Sequence, residues 1–229
     1  MKKVVILIAF ILCGLLFVFL GMGCGMNPNV YRETASVHLL RDITVECKDE
    51  KDVQIVFHRN SENELILESS DVYVSGEVYG SYEYILDENY NVVSVKESGE
   101  QGKIHEINFS YNSHGRVSQM RVQSEDGSLY NVSFEYDNNG WQKKISVTDV
   151  EGDLLSYFIC SRDESEYKEK VSEYNAEGIL QSYYENVYVH DSKLAKSIKY
   201  EKSGKEVYTM VLGYFQYEKS ITVIGSKED

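Results

Sequence analysis

The sequence predicts an all-β protein: a long antiparallel meander of about 13–14 short strands, curled into an open half-pipe or partly closed barrel. Three observations lead there. Turn-like clusters recur with centres 11 to 14 residues apart, and the runs between them alternate apolar and polar residues. Tyrosine is used 19 times against one Pro and one Trp, a composition that suits pleated, half-buried surfaces. Beyond residue 40 no stretch carries a helical apolar stripe, so no crossover helices can return the chain for parallel pairing.

The chain opens "MKKVVILIAFILCGLLFVFLGMGC". Lys2 and Lys3 precede an uncharged run from 4 to 23, an export signal to be set aside from the fold. Residues 1–23 are therefore a signal peptide or membrane anchor. Gly21-Met22-Gly23-Cys24 resembles a bacterial lipobox, with Gly23 in the small position before Cys24, the lipidated residue. Gly21 stands where Leu is usual, although Leu20 lies beside it. The run is also long enough to span a bilayer of roughly 30 Å. Lipidation, an uncleaved anchor and cleaved secretion all remain open, and each places the rest of the chain outside the cytoplasm. Attachment to the membrane through the lipid or the helix is the expectation, in a bacterial cell envelope.

Residues 24–40, "CGMNPNVYRETASVHLL", read as a lipidated tether, with room for one short helix at 32–40. Residues 41–229 form the β domain. Its turns are "KDEKD" near 50, "NSEN" near 62, "VSGE" near 76, "DENYN" near 89 and "SGEQG" near 100. They continue with "NSHG", "EDG", "DNNG", "VEG", "RDES", "NAEG", "HDSK" and "KSG". Between them the parity is clear. In 103–111, Ile107, Phe109 and Tyr111 share a face; in 128–136, Tyr130, Val132, Phe134 and Tyr136 do. By the same count Trp141 groups with Ile145 and Val147, and Leu194 with Ile198 and Tyr200. So many strands with one apolar face cannot stay flat, and the sheet must curl until its apolar side is covered.

Four turns share a spelling: Tyr111–Gly115, Tyr136–Gly140, Tyr174–Gly178 and Tyr200–Gly204, each with Asn, Asp or Glu after the Tyr. Chance pairing of 19 Tyr and 16 Gly gives about one such match. Asn and Asp side chains bond nearby backbone and set a turn, and Gly supplies the positive φ that closes it. These are structural turns. The Tyr-to-Tyr steps are 25, 38 and 26, so Tyr174 falls on the opposite edge from Tyr136 and no single binding row exists.

With "YNSHGRVSQM…EDGSLYNVSFEYDNNG" at 111–140, including Arg116 after the Gly, the chain resembles the YD repeats of the Rhs family. The likeness covers about 87–210 and implies a spiralling β-sheet. The chain departs from it in "YEKSG", in the Gly-less "RDES" turn and in lacking anything like a toxin domain.

The formal charge of −14 and the lack of a basic cluster exclude a nucleic-acid partner. Tyr79, Tyr82, Tyr84, Tyr183, Tyr184 and Tyr188 form the candidate aromatic ligand surface, a platform for sugar rings, although cross-strand aromatic pairs also simply stabilise sheets. Cys47 and Cys160, 112 residues apart, read as buried thiols rather than a bridge. His38, His58, His105, His114 and His190 are scattered, no nucleophile elbow is present, and no spacing suggests a metal or cofactor. The expected function is non-catalytic: an envelope-anchored binding or scaffold module with a glycan or envelope protein as partner. The alternatives are a carrier holding a lipid or other hydrophobic ligand in the concave face, and a toxin-immunity or partner protein.

Overall fold

The computed structural model describes residues 40–214 apart from 48–51, 61–65, 90, 98–103, 125–126, 164–167 and 190–192. The expected signal or anchor at 1–23, Cys24, the short helix expected at 32–40 (except Leu40) and the residues after 214 all lie outside the described part.

Fourteen strands follow one another without a helix among the described residues. The first seven are β1 (Leu40–Cys47), β2 (Val53–Arg59), β3 (Leu67–Val74), β4 (Glu77–Leu86), β5 (Val92–Glu97), β6 (Ile104–Tyr111) and β7 (Val117–Ser124). The remainder are β8 (Leu129–Tyr136), β9 (Gln142–Thr148), β10 (Leu154–Asp163), β11 (Lys168–Asn175), β12 (Leu180–Val189), β13 (Lys193–Glu201) and β14 (Glu206–Tyr214). Every strand pairs antiparallel with its sequence neighbours, as the meander requires. The curl then runs to completion, past a half-pipe: β1 pairs with β2 on one side and with β14 on the other, from Leu40↔Tyr214 to Cys47↔Tyr208.

The turns show why the spelling recurs. In the 136–140 turn, Asp137 N–H donates to the Trp141 carbonyl at 2.8 Å and Gly140 N–H to the Asp137 carbonyl at 3.0 Å. The Asp137 carboxylate accepts from the amides of Asn139 and Trp141. Asn112 and Asn175 repeat this backbone pattern with Gly115 and Gly178. Glu201 keeps the backbone bonds, while Ser203 Oγ accepts from the Lys205 amide. Gly115, Gly140, Gly178 and Gly204 all have φ between +76° and +87°, where a Cβ is strained.

The apolar face turns inward. Val53, Ile55, Phe57, Tyr82, Val95, Ile107, Phe109, Val117, Met120, Val132, Phe134, Ile145, Phe158 and Leu194 are among side chains no more than 7% exposed. A round ring of fourteen strands would enclose an open lumen. The inward apolar side chains are instead buried as one core cluster. The outer face of the early strands is polar, with Gln54, His58, Asn108, Ser110, Gln119, Arg121, Asn131 and Ser133 exposed. A membrane-spanning barrel has the reverse distribution, apolar outside and polar within.

Two parity assignments from the sequence change. In β9 a bulge opposite Glu135/Tyr136 turns Gln142 inward together with Ile145. In β13 a bulge opposite Val187/Tyr188 leaves Leu194 buried but puts Ser197 rather than Ile198 on the buried face. Tyr200 and Ile198 therefore face outward, opposite Lys199. The extra residue at each bulge shifts every later side chain to the other face.

Candidate functional site

The four turn tyrosines divide by position. Tyr111 OH donates to the Val92 carbonyl at 2.6 Å, and Tyr136 OH to the Val117 carbonyl at 2.7 Å. Each phenol thus reaches the adjacent preceding strand and pins its start. Tyr174 and Tyr200 instead face outward, at the opposite end of the barrel, as the 38-residue step requires.

The six tyrosines of the expected aromatic surface are not brought together. Tyr82 is buried on the inner face, and Tyr84 bonds Ser70 there, its phenol pushed up to about 12 by burial. Tyr184 and Tyr188 also point inward, their phenols pushed up by burial. Tyr79 is half-buried and packs against the core. Only Tyr183 belongs to the outer surface of β12. The sequence grouping missed this because neighbours such as Tyr183 and Tyr184 necessarily face opposite ways in a strand.

What the outside does carry is a ladder across β10 to β13. Tyr157 stacks on its direct partner Tyr174 with ring centroids 5.1 Å apart, and Tyr183 on its partner Tyr200 at 4.9 Å. Lys144 lies over the Tyr157 ring and Lys170 over the Tyr183 ring, at 5.5 and 4.2 Å. Val150, Leu154, Leu155, Ile159 and Ile179 stand exposed around them. Val150 and Ile179 lie in the β9–β10 and β11–β12 turns, so this apolar surface reaches one end of the barrel. Alternation in "LLSYFIC" places Leu155, Tyr157 and Ile159 on one face; the missing signal was which face the bulges would leave outside.

The inner face of β10 to β13 is polar where the early strands are apolar. Glu169, although buried, accepts from Asn186 Nδ2 at 2.9 Å and from Tyr188 OH at 2.7 Å, and Ser197 Oγ donates to Asn186 Oδ1 at 2.7 Å. Glu173 accepts from Ser182 and pairs with Lys199 at 3.9 Å. Cys160 is unbridged, and burial pushes its thiol up.

His58, Asp71 and Ser81 meet on the outer face of β2 to β4. His58 Nε2 lies 2.8 Å from Asp71 Oδ2, and Ser81 Oγ donates to Asp71 Oδ1 at 2.5 Å. The carboxylate is thus the centre of the group, whereas nucleophilic catalysis needs the imidazole between acid and hydroxyl. Among the described residues no three His, Cys, Asp or Glu side chains gather as a metal site. His38 and His190 lie outside the described residues.

No protein-family model matches the sequence, and no curated protein matches it. Among solved structures the chain is similar to a porin-like protein from Bacteroides uniformis, with 9% identity and a TM-score of 0.44 over 77% of this chain and 98% of that one. A porin-like protein from Bacteroides vulgatus matches with 8% identity and a TM-score of 0.37 over the same shares. The Photorhabdus luminescens Tc holotoxin pore matches over 72% of this chain with 11% identity and a TM-score of 0.31; the match spans 13% of the toxin chain.

Proposed function

We propose that the chain is a non-catalytic binding module of the bacterial envelope, and that its contact surface is the outward tyrosine ladder with its aliphatic border. The observation that carries this reading is that surface itself. Large apolar side chains exposed together at one end of a barrel, around aromatic rings that keep polar tips in water, suit a protein interface. A protein partner is favoured over a glycan. Sugar recognition uses free ring faces, and here Tyr157 and Tyr183 each have a neighbouring ring on one side and a lysine close by. The carrier reading loses ground because the inward apolar side chains are buried in one cluster.

The topology supports the same orientation. In a meander, β1 starts and β14 ends at the end that holds the β6–β7 and β8–β9 turns. The ladder lies towards the other end. An anchor preceding β1, lipid on Cys24 or an apolar helix, would therefore present the ladder away from the membrane. The YD-repeat likeness belongs to this proposal as the source of the turn chemistry.

Site-specific photo-crosslinking in cells tests the proposal. A crosslinker at Ile179 should capture one envelope protein, and the same probe at Ile85, exposed at the opposite end of β4, should not. Equal capture from both positions, or ladder-dependent binding on a glycan array without protein capture, would overturn the protein-partner reading. Labelled palmitate with Cys24→Ala tests the anchor: loss of label and of membrane partitioning is expected.

A further inference from the structure

The inner polar face ends in a corner that its own hydrogen bonds do not satisfy. Arg162, near the end of β10, lies with its guanidinium carbon 3.4 Å from the centre of the Trp141 ring and 4.7 Å from that of Tyr188. The two rings hold the planar group by its faces, which leaves its donors to find partners in the plane. Nε and Nη1 are both buried and have no acceptor among the described residues. The side-chain nitrogen of Gln142, next in sequence to Trp141 and 6% exposed, is buried without an acceptor too.

The obvious counter-charge does not supply one. Glu169 is the direct cross-strand partner of Arg162, yet its Oε2 accepts from Asn186 and Tyr188. Ser197 in turn donates to Asn186 and fixes that amide. The carboxylate is therefore held by neutral donors while the guanidinium is held by rings. Most buried polar groups in folded proteins are hydrogen-bonded, and each one that is not calls for an explanation such as a bound water or ion. The Arg162 guanidinium offers only donors and a positive charge, and the Gln142 nitrogen offers donors too, so an ion that brings acceptors and negative charge fits them.

We propose that Arg162 and Gln142, framed by Trp141 and Tyr188, form a binding site for a small oxyanion, a carboxylate or phosphate group. It lies at the end of the barrel that holds the β8–β9 turn, where half-exposed Trp141 borders the solvent. It is separate from the tyrosine ladder and does not depend on that reading.

Trp141 is the only tryptophan in the sequence, so its emission reports this corner alone. Detergent-solubilised full-length protein is titrated at constant ionic strength with inorganic phosphate and, separately, with acetate; chloride is the control. A saturable change with at least one oxyanion and none with chloride is expected. Arg162→Lys keeps the charge and loses the fork, and Gln142→Ala removes the second donor. Each should raise the midpoint about three- to tenfold or more. No saturable response of the unaltered protein to either oxyanion, an equal response to chloride, or midpoints unmoved in both variants would overturn the proposal.

Discussion

Gly140 carries two constraints at once. Its φ is +86°, and a Cβ built on it would stand 2.0 Å from Nη2 of Arg116, whose guanidinium carbon lies 5.6 Å from the centre of the Tyr136 ring. Gly115 has a similar φ of +76° but open space around the same position. Gly115→Ala should therefore cost about 1–2 kcal/mol, the left-handed strain alone. Gly140→Ala should cost more, since Arg116 must also leave its ring; chemical denaturation of both variants checks the order. Tyr136→Phe removes the bond that pins the Val117 carbonyl and should cost about 1 kcal/mol, again by denaturation midpoint. The Asp71 carboxyl is held below 3.8, its ordinary value, first by the Ser81 hydroxyl and further by the His58 ring. A depressed folded pKa gives stability that is present above the unfolded value and is lost as pH falls through the folded one. The gap in stability between the unaltered protein and Asp71→Asn should accordingly be constant near neutrality, about 1 kcal/mol or less, and close below pH 3.8.

At the scale of elements, some strands were legible and others were not. The turns were readable because their chemistry is local: an Asx side chain, a Gly, and bonds that close within five residues. β6 and β8 were readable because the alternation holds through Ile107 and Phe109 in one and through Val132 and Phe134 in the other. β13 was not, because the bulge after Leu194 moves Ile198 and Tyr200 outside and brings Ser197 in. Nothing in "KLAKSIKY" announces that shift. It makes a sharp prediction. Leu194→Ala should cost about 2–5 kcal/mol as a core truncation, whereas Ile198→Thr should stay within about 0.5 kcal/mol. Under the unbroken alternation the two positions would behave alike, and thermal unfolding of the pair decides. The same shift explains why the ladder was only partly foreseen. Tyr183 was in the expected aromatic set, but its stacking partner Tyr200 was assigned to the apolar face. The polar corner was illegible for another reason: in a chain of net charge −14, Arg162 and Glu169 look like any two surface charges until the strands place them inside.

For the molecule as a whole, closure decides where function can lie. An open half-pipe would offer its concave apolar face to a hydrophobic ligand. A closed ring whose inward apolar residues are buried gives that face to the protein's own core and leaves the outer surface and the barrel ends for partners. Closure rests on one strand pair, β1 with β14, joining segments more than 150 residues apart in sequence. Thr44 and Val211 are direct partners in that pair, and both side chains face solvent. The doubly substituted protein, Thr44→Cys with Val211→Cys, is folded, oxidised and digested, and its peptides are read by mass spectrometry. The closed ring predicts a disulfide-linked pair of peptides from β1 and β14 in the folded, cooperatively unfolding protein. Thiols at 44 and 211 that stay free in folded, oxidised protein would contradict it and return the concave face to consideration.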